Sequence, residues 1–172
     1  MQNVDSLFLE AGRAIEEQNL PSARNLLDDI LMIDPGHYQA HNYLGWIYET
    51  KLKDFEKAKR HYELSINFSN GKFPIVFVNY AYLLIDYGFY EEATDIIDRG
   101  LKIQGADFST LVYQKGKIAE LLQDFPTAYR LYKMSMKLSL SKDFMRMLDN
   151  EVERVRTKMN SWQKLKIKLA NF

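Results

Sequence analysis

The sequence predicts an all-α protein built from stacked helix pairs. Three observations lead there. Breakers are scarce, with 8 Gly and 4 Pro in 172 residues. Small residues recur with a fixed period: Ala11, Gly45, Ala81 and Gly116 are spaced by 34, 36 and 35 residues. The apolar residues between them follow helical spacing, such as Leu26, Leu27, Ile30 and Leu31 in one segment and Tyr80, Leu83, Leu84 and Tyr87 in another. A strand reading needs alternation, and only Val76-Phe77-Val78 hints at it.

Each small residue is followed by an alanine, namely Ala23, Ala58, Ala93 and Ala128, after 12, 13, 12 and 12 residues. The extra residue falls in Lys51-Leu52-Lys53-Asp54. Paired small residues let two helix backbones approach closely, so each period reads as two helices packed back to back. The segments between them carry turn and start signals. Asp54 and Asp124 suit a helix N-cap, Pro21 and Pro126 suit a first turn, and Gly88 suits a helix end with positive φ. Helices are predicted near 4–17, 21–33, 37–51, 54–68, 74–87, 90–103, 108–122 and 125–139. Repeats of this length are the signature of solenoids.

These motifs resemble the tetratricopeptide repeat family. Leu44-Gly45-Trp46-Ile47-Tyr48, followed by Ala58, Tyr62 and Leu64, is similar to its repeat motif, and Ile33-Asp34-Pro35 to its closing turn. The resemblance covers four repeats, about 4–36, 37–72, 73–107 and 108–141. Asn70, Gly105 and Leu140 depart from it, standing where a closing proline is expected. The resemblance implies a right-handed α-α superhelix, or solenoid, whose concave groove is lined by the first helix of each pair.

After Ser141 the period stops. An apolar stripe from Phe144 through Leu148, Val152, Val155, Met159, Trp162, Leu165 and Leu169 to Phe172 predicts one long amphipathic helix over 142–172, about 40 Å if unbroken. Its expected role is to cap the last repeat, whose apolar face needs cover. Its end is basic: residues 151–172 hold six Lys and Arg against two Glu. The first 36 residues hold two basic and seven acidic side chains, although the whole chain has 23 of each sign. Zero net charge excludes a domain that is basic throughout, and no nucleic-acid partner is expected.

Catalysis finds little support. Cysteine is absent, which removes thiolate nucleophiles, thiolate zinc sites and disulfides. His37 and His41 lie four apart, but Tyr38 stands where a helical zinc hydrolase needs glutamate, so they read as polar residues at a helix start. Glu91 and Glu92 read as first-turn acids that complement a helix dipole. Gly71-Lys72 and Gly116-Lys117 lack the glycine and strand of a phosphate loop. No enzyme activity, metal or cofactor is expected. The N-terminus, Met1-Gln2-Asn3-Val4-Asp5, carries no basic start for a secretory signal. The most apolar run, residues 73–85, falls short of the roughly 20 residues a membrane span needs. The expectation is a soluble, cytoplasmic chain.

Recognition is better supported. The resemblance implies a groove lined by Asn42, Tyr43, Trp46, Val78, Asn79, Tyr82, Tyr113, Gln114 and Lys117. Gln39, Ile75 and Thr110 open the same helix faces, and Phe8 and Leu9 extend them. Aromatic anchors and amides suit an extended peptide. Some members of the family clamp the terminal carboxylate of heat-shock chaperones with Lys, Arg and Asn. Asn79 matches one such place, but Asn42, Trp46, Thr110 and Gln114 occupy the others, which argues against that ligand. The expected function is a non-catalytic scaffold that binds a peptide segment of a protein partner. The alternatives are a homodimer through the C-terminal helix and an anionic surface met by its basic end. Of these, membrane contact is the less expected.

Overall fold

The computed structural model describes residues 3–170. Among them are ten helices: α1 (Val4–Glu16), α2 (Leu20–Ile33), α3 (Tyr38–Ile47), α4 (Phe55–Phe68), α5 (Pro74–Asp86), α6 (Tyr90–Gly100), α7 (Phe108–Leu121), α8 (Phe125–Leu138), α9 (Lys142–Lys158) and α10 (Ser161–Ala170). The described residues contain no strand. The chain divides into two compact units between Leu83 and Leu84, inside α5.

Helix starts are capped as the side chains dictate. Asn3, Asn19, Asp54, Asp107, Asp124 and Ser141 each accept a hydrogen bond from a first-turn N–H. His37 does the same for α3, its Nδ1 accepting from the Ala40 N–H at 3.1 Å. Pro21 and Pro126 lie in first turns, where no N–H is needed. The extra residue of the second repeat is absorbed in a π-helical turn, Tyr48–Leu52, which ends α3 and leaves Lys53 in the left-handed region at φ 53°.

In the first unit, α2 packs on both α1 and α3, and α4 packs on α3. Leu7, Ala11, Ala23, Leu27, Ile30, Leu44 and Ile47 form its core, with Phe8, Tyr43 and Trp46 partly buried against it. Complete burial of each larger aliphatic side chain is worth about 1.5–3 kcal/mol. Helix α4 closes on α3 through Tyr62, whose ring lies over Gly45. In the second unit, α7 packs on α6 and α8, and α8 also carries α9. Tyr132, Leu148, Val152, Val155 and Met159 make that core. Helix α9 therefore covers the apolar face of α8.

The single C-terminal helix expected from the stripe is two helices. Met159 adopts extended backbone, φ −75° and ψ 141°. Asn160 and Gln163 then cap each other: the Gln163 N–H donates to Asn160 Oδ1 at 2.9 Å, and the Asn160 N–H to Gln163 Oε1 at 3.1 Å. That reciprocal pair is a capping box, which starts a new helix. Phe172, the last member of the expected stripe, lies outside the described residues.

Candidate functional site

The expected recognition residues fall in both units, and each unit is considered by itself. In the first, α3 contributes Asn42, Tyr43 and Trp46, and α5 contributes Val78, Asn79 and Tyr82. Asn79 Nδ2 donates to Asn42 Oδ1 at 3.1 Å, which joins the two helices through their amides. Asn42 is 5% exposed, so its amide serves this link rather than open surface. Asn79 is half-buried. The link uses one of its two N–H donors, so the second donor and the carbonyl oxygen keep bonding capacity. Val78 is 7% exposed and belongs to the core.

Tyr43, Trp46 and Tyr82 are each half-buried. Tyr43 meets Phe8 edge-on at 5.6 Å. Lys51 Nζ sits 5.9 Å from the centre of the Trp46 ring, within cation–π reach. These rings are held by packing while part of each faces solvent. Helical periodicity puts Trp46 one turn beyond Asn42 and Tyr82 one turn beyond Asn79, with Tyr43 on the next face of α3, beside Trp46. The outcome is an aromatic band around an amide pair. Leu9 and Ile75 are exposed, and Phe8 and Gln39 half-buried.

The three second-unit residues are placed differently. Gln114, expected on an open face, is completely buried. Helix α7 packs on both α6 and α8, which leaves little of its surface open. Tyr113 is half-buried between Tyr132 at 5.6 Å and Phe144 of α9 at 5.7 Å. The Phe144 ring covers the face of Tyr113 expected to line the groove, and burial pushes the Tyr113 phenol pKa up. Lys117 is ion-paired with Asp86 at 3.7 Å. Thr110 is tied to its own helix cap, donating from Oγ1 to Asp107 Oδ2 at 2.6 Å.

Two polar clusters lie outside the residues that the repeat pattern singles out. Glu120, 9% exposed, accepts from Tyr132 Oη at 2.9 Å, from Arg154 at 2.8 Å and from Lys158 at 2.8 Å. Burial alone would raise its carboxyl pKa, but the hydrogen bonds from Lys158 and Tyr132 and the two nearby cations outweigh that and hold it below the usual range. This cluster ties α9 to α7 and α8. In the first unit, Tyr62 Oη donates to Glu49 in the same relation. The signal was a Glu four residues after each repeat glycine, with a Tyr in the next helix.

The second cluster is a histidine pair. His41 Nε2 lies 3.0 Å from the Pro35 carbonyl oxygen, which requires an N–H there. His41 Nδ1 is then the acceptor for the His61 Nδ1–H at 3.0 Å. Phe68 stacks on His41 and Tyr48 on His61. Burial, with the charges of His41 and Arg60, pushes His61 down to about 4. Two ring nitrogens that bond each other cannot chelate one ion, and the described residues hold no group of three or more metal-ligating side chains. No helix among them is long and apolar enough to cross a membrane.

No protein-family model matches the chain, and no curated protein matches it. Solved structures do. PilF of Pseudomonas aeruginosa superposes with a TM-score of 0.79 at 19% identity, over 90% of this chain and 68% of that one. A tetratricopeptide repeat protein from Parabacteroides merdae superposes with a TM-score of 0.71 at 19% identity, over 90% of this chain and 60% of that one.

The fold is that of the tetratricopeptide repeat. Yeast Tom70 shares it as well, with a TM-score of 0.78 at 19% identity over 97% of this chain, although the match spans only 36% of Tom70. At this identity the likeness concerns the fold of the repeat and says nothing of shared partners.

Proposed function

We propose that the chain is a non-catalytic protein-interaction module that takes a peptide segment of another protein on the α3–α5 face of its first unit. The observation that carries this reading is the aromatic band of Tyr43, Trp46 and Tyr82 around the Asn42–Asn79 amide pair. Rings already held by packing lose little freedom on binding, so their contact area converts to affinity at low entropic cost. The remaining Asn79 donor and acceptor suit the backbone of an extended peptide. With Lys51 over the Trp46 ring as its cation, this face is otherwise uncharged amides and rings, which favours a peptide that is not strongly acidic. The solved structures support the reading through the fold alone.

The test is affinity capture with the wild-type chain, an Asn79→Ala/Tyr82→Ala variant and a Lys133→Ala control, whose exposed residue lies on α8. A partner held with roughly micromolar affinity, about −8 kcal/mol, should be retained by wild type and control. It should be lost by the double variant with helicity unchanged. Equal retention by all three would reject the α3–α5 face.

A further inference from the structure

We infer that α10 is an interfacial helix that docks the protein on an anionic phospholipid surface. The break at Met159–Asn160 frees α10 to turn a second apolar stripe outward. Gln163 and Ile167 are half-buried, and Ile167 packs into the second-unit core. Trp162, Leu165 and Leu169 are 64%, 44% and 66% exposed. At 100° per residue these three fall within about 60° of arc, on the side away from Gln163 and Ile167. Lys166 borders one edge of that arc and Lys168 the other, with Lys164 beyond Lys168 toward Ile167, all three exposed. An indole and leucines flanked on both sides by lysines match the layering of a bilayer interface, where rings and alkyl chains enter and ammonium groups stay at headgroup level.

The headgroup has a place as well. Arg156 of α9 joins Lys164 and Lys168 along one cleft, floored by Tyr129 and Ile167. Three cations around one opening suit a phosphate diester. The chemistry argues against a second copy as occupant. A two-fold pairing through this stripe would set each chain's lysines against the same lysines of its mate. In addition, α10 has ten residues and is about 15 Å long, so three side chains on it fall short of the ~1,000 Å² a stable interface needs.

The test uses the full chain with vesicles of phosphatidylcholine alone or mixed with phosphatidylserine. Sedimentation with the mixed vesicles only is expected, weakened by salt. A blue shift of indole emission should disappear in Trp162→Phe. Lys164→Gln/Lys168→Gln should bind about thirtyfold more weakly, for two interfacial lysines. Leu165→Ser/Leu169→Ser should also lose binding. All four positions are exposed, so folding is preserved and circular dichroism verifies it. No sedimentation with the mixed vesicles, or binding unchanged in either pair of variants, overturns the proposal. So does binding abolished by soluble glycerophosphoserine, which would indicate a headgroup pocket without insertion. A mass that doubles with concentration and reverts in Leu165→Ser/Leu169→Ser would assign the stripe to a second copy instead.

Discussion

The ring of Tyr62 lies against the bare backbone of Gly45. A β-carbon at Gly45 would stand 2.7 Å from both Cδ1 and Cε1 of that ring. Gly116 and Tyr132 repeat the relation, with a β-carbon 2.6 Å from Cε1. Where the small residue is alanine, as at Ala11 and Ala81, the equivalent partner in the next helix is Leu27 or Ile97. Helix propensity alone says Gly45→Ala gains about 1 kcal/mol. Overpacking against a buried ring costs about 1–3 kcal/mol more than the native contact. Gly45→Ala should therefore destabilise. Adding Tyr62→Leu, which copies the Ala11/Leu27 pairing, should recover part of the loss, with coupling near 1 kcal/mol in a double-mutant cycle by urea denaturation. Strict additivity would show that the contact is not what fixes glycine.

Glu120 fastens α9 by accepting from Tyr132, Arg154 and Lys158. The Glu120 side chain is 8% exposed, but the Arg154 and Lys158 side chains are 51% and 44% exposed and remain partly hydrated. Glu120→Gln should cost about 1–3 kcal/mol, and proteolysis should then cut α9 before the rest of the chain. The pH sign follows from a folded-state pKa held below the usual value. The stabilisation is present at neutral pH and is lost as pH falls through that depressed value. Glu120→Gln should remove this part of the acid sensitivity.

The His41–His61 pair gives a separate acid response. An unfolded histidine titrates near 6.5, and folded His61 near 4. Between these values the unfolded chain binds more protons, so stability rises with pH. The contribution is complete above about 6.5, declines as pH drops toward 4, and is flat below. His41 is lowered too, chiefly by burial, and reinforces the trend. Urea midpoints should fall across this window for wild type and fall less for His61→Gln. Parallel profiles would show that His61 is not held neutral by the fold.

Much of the fold was legible because period and face are local properties of sequence. The start of α4 at Asp54 and of α8 at Asp124 followed from side-chain chemistry alone. The spare residue near Lys53 did mark an irregularity, which became the π-helical turn. The capping box Asn160-x-x-Gln163 was readable in principle, but the unbroken apolar stripe through Met159 and Trp162 masked it. At the candidate site, periodicity gave the side of each helix but not what covers that side. Gln114 is buried and Tyr113 faces Phe144 because neighbouring helices close over α7, which no local pattern encodes. The Asn42–Asn79 bond joins residues 37 apart and was equally out of reach.

Four residues spaced by 35, Gln18, Lys53, Gly88 and Gln123, share positive φ of 60°, 53°, 83° and 62°. Each lies two residues before the first residue of the next helix, next to that helix's N-cap. Only one is glycine, so the other three carry a side chain in a conformation that disfavours it. Gln18→Gly and Gln123→Gly should each stabilise by about 0.5–1 kcal/mol, and Gly88→Ala should destabilise by about 1 kcal/mol. Thermal unfolding reads both signs.

The claim that the α3–α5 face grips another protein is tested most directly by site-specific crosslinking. A benzophenone amino acid placed at Tyr82, and separately at the exposed Lys133 of α8, would be irradiated in lysate from the native cells. The account predicts one discrete conjugate from position 82, traced by mass spectrometry to a single peptide segment and abolished by Asn79→Ala, with none from position 133. Conjugates of equal yield from both positions, or from position 133 alone, would contradict it.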